Sequence, residues 1–356
     1  MNRRAYIDWL RGLAVVIMIE AHTIDAWTVD DPAVRALTRF KMLQFLAGWA
    51  APLFLFLAGV SVALAAASHL RKGKTVAEAS WLVQKRGWQV LGLAYLFRLQ
   101  SFMLSPTASW PSLLKVDILN IMGLAMVAAA WCWARGRNER ERALWLLVPA
   151  ALCVLLAQYA PGWWWPTLLG DRLEGYVRTA GAGGNFMLFP WAGFVLAGTW
   201  LGRLLVINRD PAADRQFHAW LALCGVTLFV AAYVGSYLPT FTPHSAFWHG
   251  STSWFLLRLS VMLVLFALAW LWMQRTRANH WSPMVVFGQT SLFVYWVHVE
   301  VVYGFPTYPL RHELSIAGVL VAYAIFTGIM LWLARLWSKR ATGPFIPAQL
   351  RGPLPL

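Results

Sequence analysis

The stretch Tyr6–Trp27, YIDWLRGLAVVIMIEAHTIDAW, most constrains what this chain can fold into. It is long and apolar enough to cross a bilayer, because a transmembrane helix needs about 20 residues. Charged groups cost at least about 2.5 kcal/mol each near the centre of a membrane helix, so those retained there indicate a site. This stretch carries five ionisable residues: Asp8, Arg11, Glu20, His22 and Asp25.

The order of these residues distributes them over two helix faces. At about 100° per residue, Met18 and four of the five fall in a stripe about 100° wide, whereas Glu20 lies about 160° from His22. Asp8 and His22 are separated by about 21 Å along the axis. The stripe therefore predicts a polar track through the membrane. Two simpler interpretations stay open, in which Asp8 and Arg11 neutralise each other near the cytoplasmic interface and His22 is a core residue.

The composition indicates an integral membrane protein. Hydrophobic residues make up 59% of the 356 residues, charged residues 13%, and there are 23 Trp. Soluble domains carry about 25% charged residues. The net charge of +15 would suggest a nucleic-acid partner in a soluble chain. Here the positions of the basic residues explain it better, so no nucleic acid is expected as a partner.

Hydropathy predicts an all-α polytopic bundle of about ten transmembrane helices. Their approximate ranges are 5–28, 42–68, 82–105, 112–134, 143–160, 185–206, 218–238, 252–274, 284–304 and 314–338. Of the 30 Lys and Arg residues, 20 fall on the side of the termini, seven on the opposite side and three inside spans. This bias predicts that both termini are cytoplasmic. We expect a single transmembrane domain, 1–340, followed by a short cytoplasmic tail, 341–356.

The loops on the two sides differ in character. The cytoplasmic loops are short and basic, which suits anionic membrane lipids or, alternatively, the phosphates of a coenzyme A ester. The external loops are rich in Trp and His, including Trp163, His244 and His249. They would serve as interfacial anchors or, with Glu174, as a platform for a sugar ring. Cys132, Cys153 and Cys224 are isolated thiols, so neither a metal nor a prosthetic group is expected.

Further polar residues lie inside or at the ends of other spans. Arg98 and Arg258 are within two turns of mid-helix and should face a carboxylate or a ligand phosphate. Asp117 and Asn120 open the fourth span and, three residues apart, point the same way. Asp117 is therefore a predicted partner for one arginine, in a salt bridge or a site.

The ninth span, FGQTSLFVYWVHVEVVYG, carries a second polar face. Ser291, Tyr295 and His298 follow the i, i+4, i+7 spacing of one helix face. Counted inward from the cytoplasmic ends, His298 lies about 14 residues deep and His22 about 17. The two histidines would meet if the first and ninth spans are neighbours.

Four stretches, in order along the chain, resemble the catalytic domain of the heparan-α-glucosaminide N-acetyltransferase family. They are YIDWLRGLAVVIMI, PLFLFLAGVSVALA, VDILNIMGLAMV and SLFVYWVHVEVV. The resemblance implies transfer of an acetyl group from cytoplasmic acetyl-CoA to an acceptor on the far side, with histidine chemistry near the external end of the bundle. By motif match, the site-forming residues carried over are Asp8, Arg11, Asp117 and His298. The chain departs from the family at residues 28–41, which lack the histidine that follows the first span in the lysosomal enzymes.

Together these patterns predict a membrane acyltransferase with acyl-CoA as donor and a sugar or glycan as acceptor. We assign His22 as general base, with Asp25 or Glu20 orienting its partners. His298, Tyr295 and Asn120 would bind the acceptor or stabilise the oxyanion.

Three arginines, Arg11, Arg98 and Arg258, would line the path of the donor's pantetheine and phosphates. N- and O-transfer, and direct transfer or an acyl-histidine relay, stay open. The compact ten-span form is typical of a bacterial inner-membrane protein. The alternative from another class is a transporter or flippase of a sugar-containing substrate, in which the same polar faces would form the substrate path.

Overall fold

Most of the residues that the computed structural model describes are helical; the described ranges are 5–104, 110–178, 186–207, 210–238, 250–276 and 281–341. The α-helices are α1 (Ala5–Trp27), α2 (Pro32–Ala36), α3 (Thr38–Ala47), α4 (Ala50–Arg71), α5 (Val76–Leu104), α6 (Ile118–Arg135), α7 (Glu139–Tyr159), α8 (Gly170–Glu174), α9 (Leu188–Ile207), α10 (Pro211–Gly235), α11 (Thr252–Arg275), α12 (Pro283–Gln289), α13 (Ser291–Tyr303) and α14 (Ile316–Ala341). Short 3₁₀ helices cover Trp110–Leu114, Ala160–Gly162, Trp165–Leu169 and Phe305–Leu310. The predicted all-α class is confirmed.

Seven helical segments of the described chain are long and apolar enough to cross a membrane, or eight if α12 and α13 form one span. The chain is thus an integral membrane protein. Helices α1 and α5, with 23 and 29 residues, have the length to cross as well, but both carry several charged residues. The count of ten spans and the cytoplasmic termini stay predictions. Most of the predicted tail, residues 342–356, lies outside the described residues.

Polar side chains cap several of the helices at their first turn. Asp117 accepts hydrogen bonds from the backbone N–H groups of Leu119 and Asn120 at the start of α6, and Asn120 caps back onto the Asp117 N–H. Asp210 similarly accepts from two N–H groups at the start of α10. These caps satisfy donors that have no partner inside the helix, so they fix where each helix begins.

Contacts divide the chain into two compact units. The first consists of Met1–Phe54, Gln100–Ala108 and Ala269–Leu356, and the second of Leu55–Leu99 and Ser109–Leu268. Whether residues 1–340 act as one domain stays a prediction.

Helix α1 is the central element of the first unit, where it contacts α3, α12, α13 and α14. Glycines let α1 and α12 approach backbone to backbone. A methyl group on Gly12 would overlap the carbonyl of Met284, and one on Gly288 would overlap the carbonyl of Asp8. This crossing holds the N-terminal half of α1 against α12.

Helices α6, α7 and α9 contact one another in the second unit. Helix α9 also crosses α4 through small residues: Gly198 lies against the Phe56 carbonyl, and Gly59 lies against the Val195 carbonyl. Near the C-terminal end of α9, the Arg203 guanidinium donates to the Glu139 carboxylate at 2.6 Å. This bond connects α9 to the start of α7.

The predicted ninth span, 284–304, is not one continuous helix. Its two parts, α12 and α13, are bent by 88° at Thr290. The Thr290 N–H donates to the carbonyls of Val286 and Phe287, and its hydroxyl donates to Val286 at 2.8 Å. These bonds end α12 and let α13 start in a new direction. The bend does not divide the predicted polar face, because all three of its residues, Ser291, Tyr295 and His298, belong to α13.

Candidate functional site

Two histidines from packed helices of the first unit form a hydrogen-bonded pair. His22 Nδ1 on α1 lies 2.8 Å from His298 Nε2 on α13. The other nitrogen of His298, Nδ1, lies 2.7 Å from the carbonyl oxygen of Val294 one turn earlier. The two side chains therefore meet, as the sequence predicted for the case in which the first and ninth predicted spans are neighbours. Their chemical roles stay predictions.

The hydrogen bond between the two rings lies in the plane of both. The rings are inclined by only 9° and their centroids are 5.0 Å apart. Because the two nitrogens are much closer than the centroids, the rings meet edge to edge rather than face to face. His298 is fully buried at 0% exposure, whereas His22 is partly exposed. Any molecule that reaches the pair would thus meet His22 first.

Three further residues surround the pair. The Tyr303 hydroxyl donates to Asp25 Oδ2 at 2.9 Å, and the Tyr303 ring meets the His22 ring edge-on with centroids 5.6 Å apart. On the α13 side, the Tyr295 ring lies edge-on to His298 at 5.9 Å. Asp25 is exposed, so one end of this cluster is open. Asp25 and Tyr295 were predicted from the sequence, but Tyr303 was not, because a residue five positions after His298 lies about 140° away from it around the helix.

Glu20 lies on the other side of α1, as its 160° separation from His22 predicts. Its side chain is buried at 7% exposure, and neither carboxylate oxygen has a hydrogen-bond partner among the described residues. The structure thus does not bring Glu20 to the histidine pair, and its predicted orienting role stays a prediction.

The two polar residues at the start of α1 form an ion pair. Arg11 Nη1 lies 3.3 Å from Asp8 Oδ1, and both side chains are largely buried. The pair sits beside the glycine crossing, because the Asp8 backbone is in contact with Gly288. This arrangement fits the mutual neutralisation that the sequence left open, and it leaves a donor-binding role for Arg11 as a prediction.

Hydrogen bonds join the C-terminal end of α1 to the segment before α14. Thr28 and Leu314 form a parallel bridge, in which the Val29 N–H donates to the Leu314 carbonyl at 2.9 Å. His312 adopts a φ of +58°, which is uncommon for a residue with a side chain, and its ring donates through Nδ1 to the Thr28 carbonyl at 3.2 Å. These bonds position the C-terminal end of α1, where Asp25 lies.

Arg98, Asp117 and Asn120 form a separate network in the second unit. Arg98 Nε lies 3.1 Å from Asp117 Oδ2, as the predicted arginine–Asp117 pairing requires. Asn120 Nδ2 donates to the Tyr176 hydroxyl at 3.0 Å, and this hydroxyl also bonds the Tyr95 hydroxyl at 2.7 Å. Burial raises the pKa of Tyr176 above its ordinary value, so the phenol stays protonated. The network accounts for these side chains structurally, through helix capping and pairing.

Arg258 and Glu174 also lie in the second unit. The Arg258 guanidinium lies over the Trp254 ring, 4.3 Å from its centroid, and is buried at 8% exposure. Glu174 of the predicted sugar platform is buried and paired with Arg178 at 2.6 Å. His244 and His249 lie outside the described residues. Within the described ranges, no group of three or more His, Cys, Asp or Glu residues is arranged to hold a metal ion.

Residues 3–234 match a family model described as heparan-alpha-glucosaminide N-acetyltransferase, catalytic. The match confirms the resemblance drawn from the sequence. It includes α1 with His22 and ends before α13 with His298. A search of curated proteins finds no match.

Proposed function

Because the chain belongs to the heparan-α-glucosaminide N-acetyltransferase family, we propose that it is a membrane-embedded acyltransferase. The proposed donor is cytoplasmic acyl-CoA, with acetyl as the first acyl group to test. The proposed acceptor is a sugar or glycan on the external side of the membrane, modified at nitrogen or oxygen.

The hydrogen-bonded pair of His22 and His298 is the observation that carries this proposal. Acyl transfer from a thioester needs a base to remove the proton of the attacking hydroxyl or amine, and an imidazole does this at neutral pH. Such a base contributes about 10²- to 10⁴-fold to the rate. His22 takes this role because it is the partly exposed member of the pair. Asp25, held by Tyr303 beside it, is the group that orients the acceptor.

The donor needs cations for its phosphates. Arg258, whose guanidinium lies over the Trp254 ring, keeps this proposed role. The pairing of Arg11 with Asp8 and of Arg98 with Asp117 favours a structural role for both ion pairs. The basic cytoplasmic loops would add long-range attraction for the same phosphates and for anionic lipids. Both termini are proposed to be cytoplasmic, with ten spans in a bacterial inner membrane.

Thermal unfolding of the detergent-purified protein tests the donor. A ligand at a hundredfold excess over its Kd stabilises the folded state by about 2.7 kcal/mol, so acetyl-CoA should raise the Tm of the wild type. Arg258→Gln should reduce the rise, and His22→Gln should keep it. A small acetyl thioester that lacks the nucleotide is the chemical control and should give a smaller rise. If neither acetyl-CoA nor CoA at millimolar concentration shifts the Tm of the wild type, the donor proposal is wrong.

The 88° bend between α12 and α13 favours one second candidate, a transporter of a sugar-containing substrate. Discontinuous helices at mid-membrane bind substrates in several transporter folds. Transfer of a labelled acetyl group to an acceptor would support the enzyme, and uptake of sugar without transfer would support the transporter.

A further inference from the structure

The hydrogen bonds of the histidine pair fix which nitrogen carries each proton. The carbonyl oxygen of Val294 only accepts, so His298 Nδ1, 2.7 Å away, must be the donor. A neutral imidazole carries one N–H, which leaves a lone pair on His298 Nε2. That nitrogen lies 2.8 Å from His22 Nδ1, so His22 donates there. The second nitrogen of His22, Nε2, is then the one without a proton.

We infer that His298 is a positioning residue that holds His22 in the tautomer whose Nε2 is the base of the transfer reaction. This inference rests on the proposed acyl transfer. It also changes the role predicted for His298 from the sequence, which was to bind the acceptor or stabilise the oxyanion. His298 acts through His22 instead.

The opposite proton order is unfavourable at this location. If His298 Nε2 donated to His22 while Nδ1 still donated to Val294, the His298 ring would be a cation at 0% exposure. Isolated charges are costly to bury in an apolar medium. If His298 instead gave up the bond to Val294, it would leave a buried ring nitrogen facing a carbonyl oxygen, which costs about 1–3 kcal/mol. The order that leaves His22 Nε2 free avoids both costs.

The geometry makes the bond between the rings an effective orienting contact. The rings are nearly coplanar, with a 9° inclination, so the N–H of His22 points along the lone pair of His298. The base nitrogen lies on the far side of the His22 ring from His298. Because His298 is fully buried and His22 is partly exposed, the access to the pair is on the His22 side.

The proton order gives a balanced reaction. The acceptor hydroxyl or amine loses its proton to His22 Nε2 as its oxygen or nitrogen bonds to the acyl carbon. The C–S bond then breaks, and the leaving thiolate takes the proton from His22 Nε2 to give the thiol of CoA. While His22 is a cation, its Nδ1–H bond to His298 is charge-assisted and about twice as strong as before. His298 therefore stabilises the charged intermediate state more than the resting state.

Two substitutions of His298 separate positioning from packing. The side-chain oxygen of His298→Gln can reach the place of Nε2 and accept from His22, whereas His298→Leu fills the space without an acceptor. We expect kcat to fall about 10²-fold or more in the leucine variant and less than about tenfold in the glutamine variant, with the KM for the donor unchanged in both. Equal losses in the two variants would overturn the positioning role.

Nitrogen NMR of the protein labelled with ¹⁵N-histidine determines the tautomer of His22 directly and does not depend on transfer activity. The expected result for wild type and His298→Gln is a His22 ring protonated at Nδ1 and bare at Nε2, with the signals assigned by their loss in His22→Gln. In His298→Leu, the form protonated at Nε2 should appear. His69→Gln, at the end of α4, is the control and should leave the His22 signals unchanged. A wild-type His22 protonated at Nε2 would overturn the inference even if transfer activity is found, whereas the predicted spectrum in a protein without transfer activity would refute only the proposed function.

Discussion

Asp117 has two structural roles that a substrate-binding residue would not need. It caps α6 through the N–H groups of Leu119 and Asn120, and it pairs with Arg98 at 3.1 Å. Asp117→Asn should keep most of the cap, because Asn is as good an N-cap as Asp, but it leaves the arginine without its carboxylate. Removal of one partner from a largely buried ion pair is strongly destabilising, so we expect a loss of about 2 kcal/mol or more.

This loss of stability can be measured by thermal unfolding in detergent of Asp117→Asn, Arg98→Met and the double variant. The double variant should regain part of the lost stability, because no charge is left without its partner. An Asp117→Asn protein that is as stable as the wild type but shows no acetyl-CoA shift would contradict the structural role and restore the predicted substrate role.

Residue spacing predicted several of these contacts. Matched depth and a shared face predicted the approach of His22 and His298, and the polar start of α6 predicted an arginine partner for Asp117. The contact of Tyr303 with Asp25 could not be predicted from residue spacing, because it depends on the angle at which α13 crosses α1. The hydrogen bond from His298 to the Val294 carbonyl, which determines where the ring protons lie, could not be predicted from the identity of residue 294, because every residue has a backbone carbonyl.

The crossing of α1 and α12 makes the glycines at its centre a sensitive point of the first unit. Gly12→Ala and Gly288→Ala would each make a methyl group overlap a backbone carbonyl oxygen of the neighbouring helix, so the two helices would have to move apart. We expect each to lower the Tm by several degrees and to lower the yield of folded protein. The backbone of α1 also carries His22, so transfer activity should fall with the shift of that helix.

Gly328 on α14 gives a matched control in the same unit. Nothing lies within 4 Å of a methyl group placed there. Gly328→Ala should be neutral or should stabilise by up to about 1 kcal/mol, because alanine favours the helix. A Gly12→Ala protein that unfolds at the same temperature as Gly328→Ala would refute the close crossing.

Hydropathy located the helices better than it located their interruptions. Residues 284–304 contain no proline and have the hydropathy of one continuous apolar helix. The chain nevertheless bends by 88° at Thr290. The bend lies two residues after Gly288, which is in contact with α1. Packing against α1 therefore decides the direction of α12, and a local pattern does not contain that information.

The distribution of Lys and Arg predicts the topology of the whole molecule. With 20 of the 30 basic residues on the side of the termini, a cytosol-only fluorescent reporter fused to the C-terminus should fluoresce, and a periplasm-only phosphatase in its place should be inactive. The same pair of reporters placed after truncation at residue 168 should give the opposite result. Identical results at the two positions would contradict the ten-span arrangement.

If His22 is the base of acyl transfer, its replacement should slow the transfer of label from acetyl-CoA that is labelled in its acetyl group. Membranes that contain the wild type should move label to a sugar-containing acceptor, and His22→Gln membranes with an equal amount of folded protein should do so at least about 10²-fold more slowly. Equal transfer by the two would show that His22 is not the base.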